Sequence, residues 1–242
     1  MPNAYPLALL VHNVVLVAAA SHEDDQIAAA SRWFTQNCNA KHCTSGGGSH
    51  KETTVAARKL ISLTLTKYSI KTFVDCPVGS FEWMRLVNLK SVNYTGLDIG
   101  APQMARWNQV FGKPNIHFGV LNLLKQIPPS ADLVMSREFW FHIRPEMGAK
   151  ALAHIRASGA KYLLTSTHPD ADDNQQGIVD TGWGNEWGYY DINVEKPPFD
   201  LTAADVLEST EETLSTMGFR AVEYRKLNKT THKRYMRLYK LR

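Results

Sequence analysis

The sequence predicts an α/β domain: a mainly parallel sheet, helices on both faces and one antiparallel strand at an edge. Three observations carry this. From residue 70 onward, short apolar runs alternate with helical stretches, the pattern of repeated strand–helix units. The helical stretches carry their own punctuation, with Pro near a first turn or Gly just past a last one. The final two strand candidates are joined by Asn228 to Lys233 alone, enough for a hairpin and too short for a parallel crossover.

The elements follow in order. EDDQIAAASRWFTQNC, from Glu23, reads as a helix. CTSGGGSHKE is a flexible turn into a second helix, TTVAARKLISLTLTKY, and Ser49 and Glu52 have the spacing of a capping box. IKTFVDC (70–76) is a buried strand, SFEWMRLVNL (80–89) a helix and SVNYTGLDI (91–99) a strand. PQMARWNQVFG is a helix stopped by Gly112, and NIHFGVL and ADLVMSRE (131–138) are strands. RPEMGAKALAHIRASG is a helix and AKYLLTSTH a strand. LTAADVLESTEETLSTMG (201–218) reads as a helix, and FRAVEYRKL and RYMRLYKLR as the closing strands.

Composition narrows the class. A chain of 242 residues fits one large α/β domain or two small ones, and buries roughly 70% of its unfolded surface. With 44% hydrophobic and 21% charged residues it is ordinary globular material. The net charge of +4 helps an anionic partner approach but is no nucleic-acid footprint. Cys38, Cys43 and Cys76 form no CxxC, which excludes a zinc ribbon and a disulfide framework; Cys38 and Cys43 could pair only in a secreted protein. LALLVHNVVLVAAAS (7–21) is shorter than the roughly 20 residues of a membrane span. It reads either as a helix packed on the domain or as the apolar part of a signal peptide, although no Lys or Arg precedes it. The cytoplasm is the favoured location. The division expected is an N-terminal lid segment, 1–48, and a sheet domain, 49–242.

Ligands of such sheets bind at the C-terminal ends of the strands. Asp75 ends the first core strand and Asp98 the next. A strand-end acid about 20 residues past a glycine turn is where a ribose diol is held. Taken singly, Asp75 reads equally as a helix cap and Asp98 as a turn residue; on adjacent strands they favour a nucleoside ligand. The turn VDCPVGSFEW (74–83) has Pro77 and Phe81 where a dinucleotide loop has glycines, and no Lys placed for a phosphate. A ligand without phosphates, such as S-adenosylmethionine, needs one close backbone approach, at Gly79.

VDCPVGSFEWMRLV resembles the D-x-P-C-G-D-F-x-W-M loop of a largely uncharacterised family of class I S-adenosylmethionine-dependent methyltransferases. SGGGSHKETTVAARKLI, YTGLDI, ADLVMSREFWFHI, SGAKYLLTSTHPDADDNQQGI and KPPFDL resemble further segments of that family in the same order, over roughly residues 44 to 200. The resemblance implies a Rossmann-like seven-stranded sheet and methyl transfer from S-adenosylmethionine to a small-molecule acceptor, leaving S-adenosylhomocysteine. It implies that Asp75, Pro77 and Gly79 shape the loop under the methionine moiety and that Asp98, followed by Ile99, binds the ribose. Asn122 stands where an Asp reads the adenine amino group. Ser136, Arg137 and Glu138 line the site after strand four, and Ser45 to Ser49 close over the cofactor. Ser136 replaces the family's Cys, Glu138 its Asp and Gln176-Gly177 its Asn/Arg-Asp, departures that bear on the substrate side.

Methyl transfer is an in-line displacement that needs position rather than a metal. A base matters only where the acceptor is protonated; His142, after strand four, and His168, after strand five, are candidates, with a structural role as the alternative for each. GWGNEWGYYDINVEKPPF (182–199) could roof the acceptor pocket with Trp183, Trp187, Tyr189 and Tyr190, or be core packing under a long loop. An aromatic roof suits a cationic or thioether acceptor and does not suit duplex nucleic acid. A catalytically inactive partner subunit on the same fold is the alternative in another class, and a nicotinamide-dependent dehydrogenase a more distant one.

Overall fold

The computed structural model describes residue 45 and residues 47–174, 191–212 and 232–241. Its centre is a seven-stranded sheet: β1 (Thr72–Asp75), β2 (Asn93–Asp98), β3 (Ile116–Val120), β4 (Leu133–Ser136), β5 (Tyr162–Thr167), β6 (Val206–Glu211) and β7 (Tyr235–Lys240). The spatial order is β3-β2-β1-β4-β5-β7-β6. The strands β1 to β5 run parallel to their neighbours, and β7 lies antiparallel between β5 and β6. The antiparallel strand therefore falls in the flank that the short chain-end link pointed to.

Period-two burial assigns the two faces. Phe73, Leu133, Met135 and Leu164 point to one side, where α1 (Val55–Lys67) and α2 (Ala101–Phe111) supply Leu60, Ile61, Met104 and Trp107. Val74, Val134 and Leu163 point to the other, against Ala151, Leu152 and Ile155 of α3 (Pro145–Ala157). A sheet covered on both faces explains why its strands are near-continuous apolar runs. Among the described residues no helix is long and apolar enough to cross a membrane.

Three local expectations are corrected. SFEWMRLVNL is not a helix but a bend with one short 3-10 turn, Met84–Leu86. Phe81 takes a left-handed φ of 58°, which helical winding forbids, and its ring lies against Tyr94, Phe111 and Phe118. Packing of that ring overrides the local helical pattern. Residues 206–211 of the segment read as a helix form β6, because β7 offers an open edge to pair with. Ser49 and Glu52 do not cap a helix either: α1 begins at Val55, and the preceding turn is held by Thr53 and Thr54 hydroxyls donating to the carbonyl of His50. The expected strand 219–227, the helix from Glu23, the 7–21 segment and the Cys38–Cys43 pair lie outside the described residues.

Candidate functional site

The sheet order reverses between β1 and β4, so the crevice beyond their C-terminal ends is the switch point where such folds bind ligands. Asp75 and Asp98 both sit there, each 2% exposed. Their environments differ. The Tyr94 hydroxyl donates to Asp75 Oδ2 at 2.6 Å. Burial, reinforced by the Asp98 charge, pushes the Asp75 carboxyl up to about 8, against the help of that hydroxyl. Asp98 accepts the backbone N–H of Gly79 at 2.9 Å and of Ile99 at 2.8 Å. Burial raises it too, and the N–H groups of Gly79, Ile99 and Gly100 restrain it to about 6. At neutral pH one acid is protonated and the other is the anion, which is how two neighbouring buried carboxyls divide one charge.

That division predicts a pH effect. A carboxyl whose folded value lies above its unfolded one stabilises below the unfolded value, and the contribution is lost as pH rises toward about 8. Asp75→Asn should remove a slope of up to about 1.4 kcal/mol per pH unit between about pH 5 and 8. Urea unfolding of both proteins across that range is the measurement, and parallel stability curves would refute the protonated Asp75.

The turn between the acids is built on Gly79, whose φ is +59°. Its carbonyl accepts Gln103 Nε2 at 3.0 Å and Trp107 Nε1 at 3.1 Å, both from α2. Ser45 lies over the other side, its Oγ accepting the Ser80 N–H at 2.6 Å. A Cβ on Gly79 would stand 2.4 Å from that oxygen. Gly79→Ala should therefore lose at least ~1–2 kcal/mol from the left-handed backbone alone and unseat Ser45; a thermal midpoint equal to wild type would contradict this. Pro77 lies in the bend between Cys76 and Val78, whose N–H bonds the Leu97 carbonyl.

The remaining expected site residues are placed as follows. Ile99 is half-buried beside Asp98. Asn122 spends its Oδ1 on the Leu124 N–H at 3.0 Å, so the oxygen assigned to adenine holds a local turn. The Ser136 side chain is fully buried, with no hydrogen-bond partner for Oγ among the described residues. Ser49 is half-buried and Gly48 buried in the short turn Gly47–Ser49. His142 is half-buried in the turn Trp140–His142 after β4. Trp183, Trp187, Tyr189 and Tyr190 lie outside the described residues.

Arg137, expected to line the site after strand four, is a buried clamp. Its Nε reaches Glu212 at 2.7 Å, while Nη2 bonds the Gly48 carbonyl at 3.0 Å and forms an ion pair with Glu138 at 3.0 Å. Arg234 bridges the same two acids, at 2.8 Å to Glu138 and 3.1 Å to Glu212. The Ser166 hydroxyl completes the set on Glu212 at 2.8 Å. Glu138 sits so close to Gly48 that a Cβ there would overlap its carboxylate. The network joins the ends of β4, β5, β6 and β7 and fixes the turn before α1 to the site. His168 is 1% exposed, and burial, with Arg234 and His232 adding to it, drives its imidazole down to about 3. It is neutral and enclosed.

Tyr94, Trp107, Glu212, Arg234, Asp191 and His232 were not singled out by sequence. Glu212, Arg234, Asp191 and His232 sit far along the chain from the residues they meet, and the fold alone brings them together. Among the described residues no cluster of His, Cys, Asp and Glu could hold a metal ion.

No family model matches the chain, and no curated protein does. Solved structures do. The N-methyltransferase NodS from Bradyrhizobium japonicum WM9, in complex with S-adenosylhomocysteine, superposes with a TM-score of 0.56 at 11% identity, over 87% of this chain and 97% of that one. The 1,6-didemethyltoxoflavin-N1-methyltransferase of Burkholderia thailandensis, with 1,6-didemethyltoxoflavin and S-adenosylhomocysteine bound, gives 0.52 at 13% identity, over 100% and 93%. The cyclase SpnF gives 0.54 at 13% identity, over 90% and 93%. At such identities the likeness establishes architecture alone: the chain shares the Rossmann-like α/β fold of these three proteins.

Proposed function

We propose that the protein transfers a methyl group from S-adenosylmethionine to a small-molecule acceptor. The observation that carries this reading is the buried pair Asp75 and Asp98, on adjacent strand ends at the switch point, with the left-handed Gly79 between them. The residues fit the cofactor. An ionised Asp98 accepts only, and three backbone N–H groups leave it room for a ribose hydroxyl. The turn offers no run of free N–H groups for a pyrophosphate, since Pro77 has none and the Gly79 N–H is spent on Asp98. Bound there, the cofactor would supply an activated methyl; the protein's part is to hold cofactor and acceptor in line and exclude water. Asp75, Pro77, Gly79, Asp98, Ile99 and Ser136 would hold it, with Ser45 and Ser49 over it, and Glu138 would face the acceptor.

A non-catalytic role stays as the second reading on one observation. Glu138 is tied by two arginines at the end of β4, beside the expected acceptor space. The cyclase SpnF also makes the point that this fold is not tied to one reaction. Calorimetry with S-adenosylhomocysteine and NAD tests the first reading, which expects micromolar binding of the former and none of the latter. Release of S-adenosylhomocysteine from S-adenosylmethionine, in the presence of a small-molecule extract, separates enzyme from binding subunit.

A further inference from the structure

Beside the arginine–glutamate network lies a second buried polar cluster, made of His168, Asp191 and His232. Asp191 is 2% exposed. His168 Nε2 lies 3.3 Å from its Oδ1 and His232 Nδ1 2.9 Å from its Oδ2. Hydrogen-bond logic fixes both tautomers. The Ile192 N–H donates to His168 Nδ1 at 3.1 Å, so the His168 proton is on Nε2 and points at Asp191. A carboxylate can only accept, so His232 carries its proton on Nδ1. The lone pair of a neutral His232 is therefore on Nε2, in a side chain that is 25% exposed, unlike the two groups behind it.

The carboxylate is held rigidly. The Ile192 carbonyl accepts the His168 backbone N–H at 2.7 Å. Asn193 Nδ2 bonds the carbonyls of Pro169 and Ala171, and Asn174 brackets the Asn193 backbone on both sides. The cluster is continuous with the site edge. His168 follows β5 and packs its ring 5.0 Å from Phe141, after β4. Arg234, two residues past His232, stands over the same Phe141 ring while pairing with Glu138 and Glu212. Lys233, between them, turns away to Glu211 at 3.0 Å. The one partly open member of the cluster is thus an imidazole backed through Nδ1 by a buried carboxylate, an arrangement suited to taking a proton at its other nitrogen.

We infer that His232 is the general base of the acceptor site, with Asp191 and His168 as positioning residues, and that the acceptor attacks through an atom bearing a proton, a hydroxyl or a thiol. The inference rests on the methyl-transfer reading. In the step, the acceptor's O–H or S–H bond breaks and its proton goes to His232 Nε2. The freed pair on oxygen or sulfur forms the bond to the methyl carbon, and the pair of the broken carbon–sulfur bond stays on the departing thioether sulfur. Asp191 balances the imidazolium until the proton leaves to water.

Two measurements on the full-length protein separate the inference from the reading beneath it. The first is calorimetry with S-adenosylhomocysteine. The second is carbethoxylation by diethyl pyrocarbonate, mapped by peptide mass spectrometry, with the exposed His117 as internal reference. A dyad-activated His232 should react about tenfold or more faster than His117 and fall to the reference rate in Asp191→Asn, while buried His168 stays unmodified. Asp191→Asn should keep cofactor affinity within about twofold, since the dyad acts on the acceptor alone. Cofactor binding with a His232 no faster than His117, or a rate indifferent to Asp191→Asn, overturns the general base and leaves methyl transfer standing. Absence of cofactor binding overturns methyl transfer, and the base assignment with it, whatever the labelling rates.

Discussion

Asp98→Ala should bind S-adenosylhomocysteine at least about tenfold more weakly than the wild type. A ribose hydroxyl donating to a charged acceptor contributes on the order of 1.5–3 kcal/mol, and tenfold in affinity is about 1.4 kcal/mol. The side chain also organises the turn, because it accepts the N–H groups of Gly79 and Ile99. Denaturation of the same variant therefore has to accompany the calorimetry. A fall in affinity with a folded, cooperative variant supports the ribose role. Unchanged affinity removes Asp98 from the cofactor site and leaves it as a support for the Gly79 turn.

Glu212→Ala should be the most destabilising single change at the strand ends, by about 3–5 kcal/mol. It leaves Arg137, Arg234 and the Ser166 hydroxyl without their common acceptor in a site where Glu212 is 2% exposed. Burial alone would raise the Glu212 carboxyl, but Arg137 and Arg234, with hydrogen bonds from Arg137 and Ser166, bring it down to about 2. The sign follows. A depressed carboxyl contributes stability above its unfolded value of 4.5, and that contribution is lost as pH falls toward about 2. Wild type should lose stability through that window, and Glu212→Gln should lose less over the same window because it carries no titrating group there. Urea midpoints at several acidic pH values are the measurement. An alanine variant within about 1 kcal/mol of wild type would show that the pairs only balance their own desolvation.

The parallel sheet was readable because burial on both faces writes itself into the chain as apolar runs, and because caps and glycines mark the helices between them. The strand-end acids Asp75 and Asp98 were readable only as a pair: each alone could serve as a local cap or turn residue, while two at adjacent strand ends point to a ligand. Where packing decided, the reading failed. SFEWMRLVNL has helical spacing, yet the Phe81 ring is worth more among three aromatics than in a regular turn. Residues 206–211 look helical and become a strand because β7 needs a partner.

By itself the sequence determined the fold class, the places of the five parallel strands along the chain and the place of the glycine turn, all of which depend on patterns a few residues long. Only the tertiary structure decided what surrounds that turn. It made Arg137 a clamp between Glu138, Glu212 and the Gly48 carbonyl, and spent Asn122 on a local turn. It also set Asp191 between two histidines from opposite ends of the last 80 or so residues of the chain. The physical reason is range: hydrophobic period and turn chemistry act between near neighbours, whereas a buried charge takes whatever partner the sheet order brings within about 3 Å.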